Sequence, residues 1–452
     1  MKLRLYITAL VICLAGTSRA QQEWDLQKCI TYALENNISI RQQQTNTDYY
    51  GNELKQAKNN RLPSLSGGLS NSFSFGKSLQ GDNTYADVNS NSTSGRLSAD
   101  VTLWNNLSIR KSIDMADFNL KASLQDLQKA KDDIILNVAA AYLQILFAQE
   151  LVQVAEDQLS VTNLQIERTK KLVNAGSLAK GSLLEIEAQY AQEELNLVNQ
   201  QNEVQLSYLN LYQLLELPVS DNFKIVKPEL PVISANRALL SSVEVFNNAV
   251  QTRPEVKSAA FKLESYKEQV EIARTGFYPT LSMGFDYSNF YNNKYRFAGT
   301  VVNDIFVPGA KIPVKTQLKG NDQYGLGFNL SIPMFNKFQT RTQVKNAELQ
   351  AVNQELELQN TKNLLRTEIE QAYTNALAAL KKYIASNKAV ESMKEAFRYT
   401  EEKFTVGMVN SVEYNQAKNN LTKATSDLAQ AKYDYIFRSK ILDFYNGVPI
   451  EL

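Results

Sequence analysis

Between Pro63 and Gly76 the chain alternates residue by residue. Ser64, Ser66, Gly68, Ser70, Ser72 and Ser74 share one parity, and Leu65, Gly67, Leu69, Asn71, Phe73 and Phe75 share the other. A two-residue period is the signature of a strand with one wet and one apolar face. Three more stretches repeat it. Leu97, Ala99, Val101 and Leu103 alternate with Ser98, Asp100 and Thr102; Leu281, Met283, Phe285 and Tyr287 alternate with Ser282, Gly284 and Asp286. Tyr324, Leu326, Phe328, Leu330, Ile332 and Met334 alternate with Gly325, Gly327, Asn329 and Ser331. The pattern predicts four strands, at about 64–76, 96–104, 280–289 and 324–335.

Most of the remainder has helical periodicity and lacks helix breakers. No Pro occurs between Pro63 and Pro218, and Gly176 and Gly181 are the sole glycines between Asn105 and Leu217. From Met334 to Val448 there is again no Pro, and Gly407 stands alone until Gly447. Each arm therefore reads as one very long helix folded back once, the first from about Asn105 to Asn174, on the order of 100 Å at 1.5 Å per residue. Shorter helices are expected over about Glu23–Asn60 and Ser182–Leu217. Ile134, Val138, Ala141, Ile145, Ala148, Val152, Ala155 and Leu159 step by four and three. Leu365, Ile369, Ala372, Ala376, Ala379, Tyr383, Ser386 and Val390 repeat that heptad seam. A second stripe through Leu136, Ala140, Leu143, Phe147 and Val154 gives the first helix two helical neighbours, as in a stave of a bundle or ring.

The two arms are copies. An offset of about 216 lays Leu62–Gly68 on Tyr278–Gly284, and Ala33, Leu54 and Ala57 on Ala249, Val270 and Ala273. After the strands an offset of about 231 lays Trp104-Asn105 on Phe335-Asn336, Ala141-Tyr142 on Ala372-Tyr373, and Gly176 on Gly407. The organisation expected is a signal peptide over 1–20, a first repeat over 21–217, a linker over 218–240 and a second repeat over 241–452. The leader reading rests on Lys2 and Arg4, the apolar run Leu5–Gly16, and small residues before a cleavage point at Ala20. The mature chain would be exported. No later run approaches the ~20 apolar residues of a membrane helix, so strands would have to do any spanning.

Composition narrows the function. The chain has no His, which removes the commonest general base and metal ligand, and no catalytic cluster, cofactor site or metal site is expected. With 48 Lys and Arg against 47 Asp and Glu, the formal charge of +1 argues against nucleic acid as a partner. Cys13 lies in the leader, which leaves Cys29 without a disulfide partner in the processed chain.

Four strands cannot close a barrel, and the helices are committed to one another, so no second layer is left to cover the apolar strand faces. Leu69, Phe73, Phe285 and Leu330 are expected to face lipid, with the small polar parity facing a water-filled lumen. Closure then requires several chains, and a conduit requires at least three, because eight strands fill their own interior. The polar segment Lys77–Gly95 and the longer one over about 289–323 would face the exterior, leaving the helices in the periplasm. The alternative is a secreted or periplasmic coiled-coil scaffold without channel activity.

The leader, "WDLQKCITYALENN" (Trp24–Asn37), the two "P-[ST]-L-S" strand starts, "IPMFN" (Ile332–Asn336) and "KFTVGMVNSVEYNQAKNNL" (Lys403–Leu421) resemble the outer-membrane efflux protein family, the TolC-like channels. The resemblance implies a homotrimer with a twelve-stranded transmembrane β-barrel, continued by an α-helical barrel that closes at its periplasmic tip. It also implies an exit duct for efflux or type I secretion, working with a periplasmic adaptor (membrane fusion) protein and an inner-membrane transporter of RND or ABC type. The family often carries two acidic residues six and nine positions beyond the second turn glycine. This chain has Glu413 and Gln416 there, so the first is similar and the second departs. Glu185 and Glu187 stand near the same level in the first copy. A three-fold axis would make each acidic residue a ring of three charges favouring cations. The turns around Gly176, Ser177, Gly181, Gly407 and Met408 are the expected adaptor contacts.

Overall fold

The computed structural model describes residues 23–79, 83–87, 89–218, 223–229, 233, 240–303 and 305–451. The expected signal peptide and much of the linker lie outside them. The first repeat contains β1 (Glu23–Trp24), α1 (Leu26–Asn36), α2 (Ile38–Asn59), β2 (Ser64–Ser74), β3 (Lys77–Leu79), β4 (Tyr85–Asp87), β5 (Ser90–Trp104), α3 (Ser108–Asn174) and α4 (Lys180–Leu215). After β6 (Lys224–Ile225), the second contains α5 (Ser242–Thr252), α6 (Pro254–Thr275), β7 (Thr280–Asn292), β8 (Thr300–Val302), β9 (Ile305–Val307), α7 (Val314–Gly320), β10 (Gln323–Ser331), α8 (Gln339–Thr405) and α9 (Ser411–Tyr445). Two compact units result. Among the described residues, one comprises those up to Thr47, those within Ala122–Ala259 and those from Glu357 onward; the other comprises those within Asp48–Lys121 and Ala260–Leu356.

In the first unit the heptad seam is the core. Val138, Ile145, Ala148, Ile369 and Ala376 are fully buried, joined by Cys29, Leu211 and Leu215. Each large apolar side chain so buried contributes about 1.5–3 kcal/mol. Burial also pushes the Cys29 thiol up to about 12, helped by nearby Asp25, so it is an inert packing residue. The linker is sewn to the segment just before α1 by parallel pairing of β1 with β6. The Tyr142 hydroxyl reaches the carbonyls of Trp24 (3.2 Å) and Val226 (2.5 Å). One stretch of α3 is long and apolar enough to cross a membrane by composition, contrary to the sequence expectation, but half of it is buried inside the protein. It belongs to the seam.

Each helix expected to be continuous before the strands is in fact two. Asn37 separates α1 from α2 at φ −61°, ψ 131°, and Arg253 separates α5 from α6 at φ −67°, ψ 133°. The offset of about 216 places these residues on each other. Pro254 enforces the break in the second copy, because the residue before Pro is driven out of the helical region. The first copy has Ile38 there, and the Asn37 side chain instead accepts from Ser39 N and donates to the Leu214 carbonyl. Both pieces start on capped turns: Asp25 accepts from Lys28 N at 2.7 Å and Ser241 from Glu244 N at 3.3 Å, again equivalent positions.

The second unit carries one antiparallel sheet in the order β10-β7-β5-β2. β5 starts at Ser90 rather than near 96, and β10 runs Gln323–Ser331 rather than to 335. Pro333 lacks an N–H for the ladder, so Ile332 and Met334 lie beyond the sheet. Two further ladders, β3–β4 and β8–β9, lie in the connecting segments, so the expectation of four strands alone is corrected. The strand-to-helix corners match in the two repeats. Asn106 and Leu107 (φ 50° and 67°) occupy the left-handed region, as do Lys337 and Phe338 (φ 55° and 62°).

Candidate functional site

The sheet register decides what its faces present. β2 pairs with β5 so that Leu65 meets Ala99 and Ser66 meets Ser98. β5 pairs with β7 so that Ala99 meets Phe285 and Ser98 meets Asp286, and β7 with β10 so that Phe285 meets Leu326 and Asp286 meets Gly325. One row across all four strands is thus Leu65, Ala99, Phe285 and Leu326, and the next is Ser66, Ser98, Asp286 and Gly325. The parities read from the sequence stack into one apolar and one polar face, since a slip of one residue would have mixed them. The polar face holds an ion pair between Arg96 Nη2 and Asp286 Oδ1 at 2.7 Å, and Ser70 and Ser94 hydroxyls 2.8 Å apart. On the other parity Leu69 is 81% exposed and Leu330 58%, with Phe73 and Phe285 also open. Asn71 and Thr93, hydrogen-bonded at 3.2 Å, interrupt this face toward the loop end, as do Gly95 and Asn289; the apolar remainder, left without cover, marks a contact surface.

The folded-back turns lie in the first unit and are built alike. Gly176 (φ 74°) and Gly407 (φ 78°) take the left-handed conformation that closes a helix. Gly176 N donates to Val173 O and Ser177 N to Leu172 O at 3.0 and 2.9 Å, and Gly407 N and Met408 N repeat this with Phe404 O and Lys403 O at 3.2 and 2.9 Å. Gly181, expected in the turn, is instead already helical within the first turn of α4. Val406, Met408 and Val412 leave apolar surface exposed around the second turn.

The candidate gate residues separate into different environments. Glu413 is exposed on the first turn of α9, its backbone N–H capped by Asn410 Oδ1 at 2.9 Å. Gln416 is also exposed and donates to Asn420. Glu185, the counterpart of Gln416 at the offset of about 231, accepts from the Ser411 hydroxyl. Its carboxylate therefore sits at the N-terminus of α9, where the helix dipole favours a negative charge. Glu187 is half-buried on α4.

Just beyond these residues lies a buried polar cluster that the sequence reading missed. Lys418 Nζ, on α9, lies 3.0 and 3.1 Å from the Glu193 carboxylate oxygens on α4, and 3.0 Å from the Gln158 carbonyl on α3. It also donates to the Thr162 hydroxyl, which in turn donates to Glu193. Gln158 and Gln189 donate to the same carboxylate at 3.0 and 2.9 Å. Burial draws the Lys418 ammonium below its ordinary range, against the pull of Glu193. The available signal was the heptad seam of α3 turning polar after Leu159, where Thr162, Gln165 and Thr169 are all buried. Phe404 and Phe397 close the cluster's neighbour Tyr414 at ring distances of 4.7 and 5.4 Å.

Relatives fit this geometry. Over 444 residues the chain is 26% identical to outer membrane protein TolC of Escherichia coli, covering 94% of this chain and 82% of that one. It is 22% identical to toxin and drug export protein A of Aggregatibacter actinomycetemcomitans, covering 91% and 83%. The solved CmeC outer membrane channel of Campylobacter jejuni superposes with a TM-score of 0.75 at 19% identity, over 94% and 86% of the two chains. The family model for outer membrane efflux proteins matches residues 29–216 and again 245–447, one segment in each repeat. The chain belongs to the outer membrane efflux protein family and is an outer-membrane channel whose helical part extends into the periplasm.

Proposed function

We propose that three copies of this chain form a passive exit duct. Four strands from each close a twelve-stranded barrel through the outer membrane, and the long helices form a periplasmic tunnel shut at the turns around Gly176 and Gly407. The duct works with a periplasmic adaptor that contacts those turns and with an inner-membrane pump of RND or ABC type. It carries no catalytic step, and energy and cargo selection come from the pump. Glu413 lines the closed tip, where three-fold repetition makes a ring of carboxylates that favours cations.

The observation that carries this reading is the sheet. Its four strands have one uncovered apolar face, and β2 and β10 each have one edge without a strand partner among the described residues. Exposed edges of that length are aggregation-prone in water and impermissible in hydrocarbon, so a membrane sheet must close on itself through further copies. The test is to fractionate cells expressing the chain, purify it in detergent and measure conductance in planar bilayers. The expected result is recovery with the outer membrane, a heat-modifiable trimer and ion conductance. Recovery as a soluble periplasmic protein without detergent would overturn the reading.

A further inference from the structure

The two hairpins of the sheet have the same register once the repeat offsets are applied. Ser66 pairs with Ser98 in the first; adding the two offsets gives Ser282 and Asn329, which pair in the second. Leu65 with Ala99 becomes Leu281 with Leu330 in the same way. The repeat is therefore exact in strand pairing as well as in sequence.

Between the hairpins lies a third junction, β5 with β7. It joins the second strand of one repeat to the first strand of the next, with Ser98 opposite Asp286, Ala99 opposite Phe285 and Leu97 opposite Tyr287. The edges left over are β10, again a second strand, and β2, again a first strand. A head-to-tail ring would join them in the same sense.

We propose that β10 of one copy pairs antiparallel with β2 of the next in the register that β5 and β7 display within the chain. This deepens the proposed duct by naming its subunit contacts. Carrying the internal junction over by the offsets sets Asn329 opposite Ser70, Leu330 opposite Leu69, Gly327 opposite Ser72 and Leu326 opposite Phe73. Nothing in the transfer selects for polarity, yet in four of the five rungs from Leu326 to Leu330 apolar residues fall opposite apolar ones and polar or small residues opposite polar ones; the fifth sets Phe328 opposite Asn71, on the apolar parity of both strands. The lipid and lumen faces thus continue across the junction without a break. A slip of one residue would put Leu330 opposite Ser70 and reverse one face against the other. The five residues from Leu326 to Leu330 all find partners inside β2 as it stands, so neither strand has to lengthen.

Directly opposed residues in an antiparallel ladder have Cα atoms about 4.5–5.5 Å apart, inside the disulfide window of about 4.4–6.8 Å. Asn329→Cys with Ser70→Cys in one full-length chain tests the register. Cys29 is completely buried and does not compete. Oxidation of the purified assembly should give covalent trimers, because every copy is joined on both sides. Pairing Asn329→Cys with Ser66→Cys or Ser74→Cys, four residues off register, should cross-link about tenfold more slowly. Faster cross-linking of an off-register pair overturns the proposal. So does the absence of any β2–β10 cross-link in an assembly that inserts and conducts. Failure of the reduced double variant and of the unmodified chain to insert or conduct would instead count against the duct itself.

Discussion

Lys418 Nζ and Glu193 Oε1 lie 3.0 Å apart, each side chain 6% exposed, and they come from different repeats. Removing one partner strands a buried charge, at a typical cost of about 3–5 kcal/mol, whereas replacing both with apolar residues is often close to neutral. Lys418→Met or Glu193→Gln alone should therefore lower the thermal midpoint of helix loss substantially, and Lys418→Met with Glu193→Met should recover most of it. Equal losses in the single and double variants would show that the pair is not the linked unit described.

The apolar sheet face gives a second expectation. Leu330→Arg should impair assembly in the outer membrane by about 2–4 kcal/mol if the site is near the midplane. Ser70→Arg, on the opposite parity, should be tolerated far better. Yield of heat-modifiable oligomer in the membrane fraction measures both, and the reverse ranking would mean that the faces are assigned backwards.

At the turns, Glu413→Gln should reduce cation selectivity, or block by multivalent cations added from the periplasmic side, with oligomer formation intact. Glu185→Gln should act mainly on the turn, because the Ser411 hydroxyl and the α9 N-terminus already engage its carboxylate. Single-channel reversal potentials distinguish the two. Selectivity altered by Glu185→Gln or Glu187→Gln and untouched by Glu413→Gln would move the charged ring to the first repeat.

Alkaline pH should destabilise the helical unit. Burial pushes the Tyr414 and Tyr445 phenols up to about 12, and raises Tyr142 and Tyr433 as well. An unfolded phenol loses its proton near 10, so between about 10 and 12 the folded chain holds more protons and stability falls as pH rises. Each such group contributes roughly 1.4 kcal/mol per pH unit in that window. Lys418, lowered by burial, works in the opposite direction, but below about 10.5, where the unfolded ammonium still holds its proton, so it leaves most of that window to the tyrosines. Tyr414→Phe should flatten the decline of the helix signal between pH 10 and 12, and an unchanged slope would refute the assignment.

What could be read in advance followed from local constraints. Gly176 and Gly407 announced their turns because a left-handed helix end favours glycine, and the strand parities survived because a one-residue slip inverts a face. Gly181 misled, since a glycine near a helix start need not be in the turn. The break at Arg253 was announced by Pro254, but the matching break at Asn37 has no such marker. Lys418 was illegible for a different reason. Among Asn and Gln on a helix it resembles a solvated residue, and its partners Thr162 and Glu193 are more than two hundred positions away in sequence.

The repeat offset grows from about 216 before the hairpin connections to about 231 after them, while both hairpins keep one register. The second copy has therefore accepted about fifteen extra residues between β7 and β10 without moving a single rung of the ladder. That is a natural experiment in grafting. The shorter connection between β2 and β5 should accept foreign peptide of similar length, which makes it a display site whose payload leaves the wall of the duct unaltered.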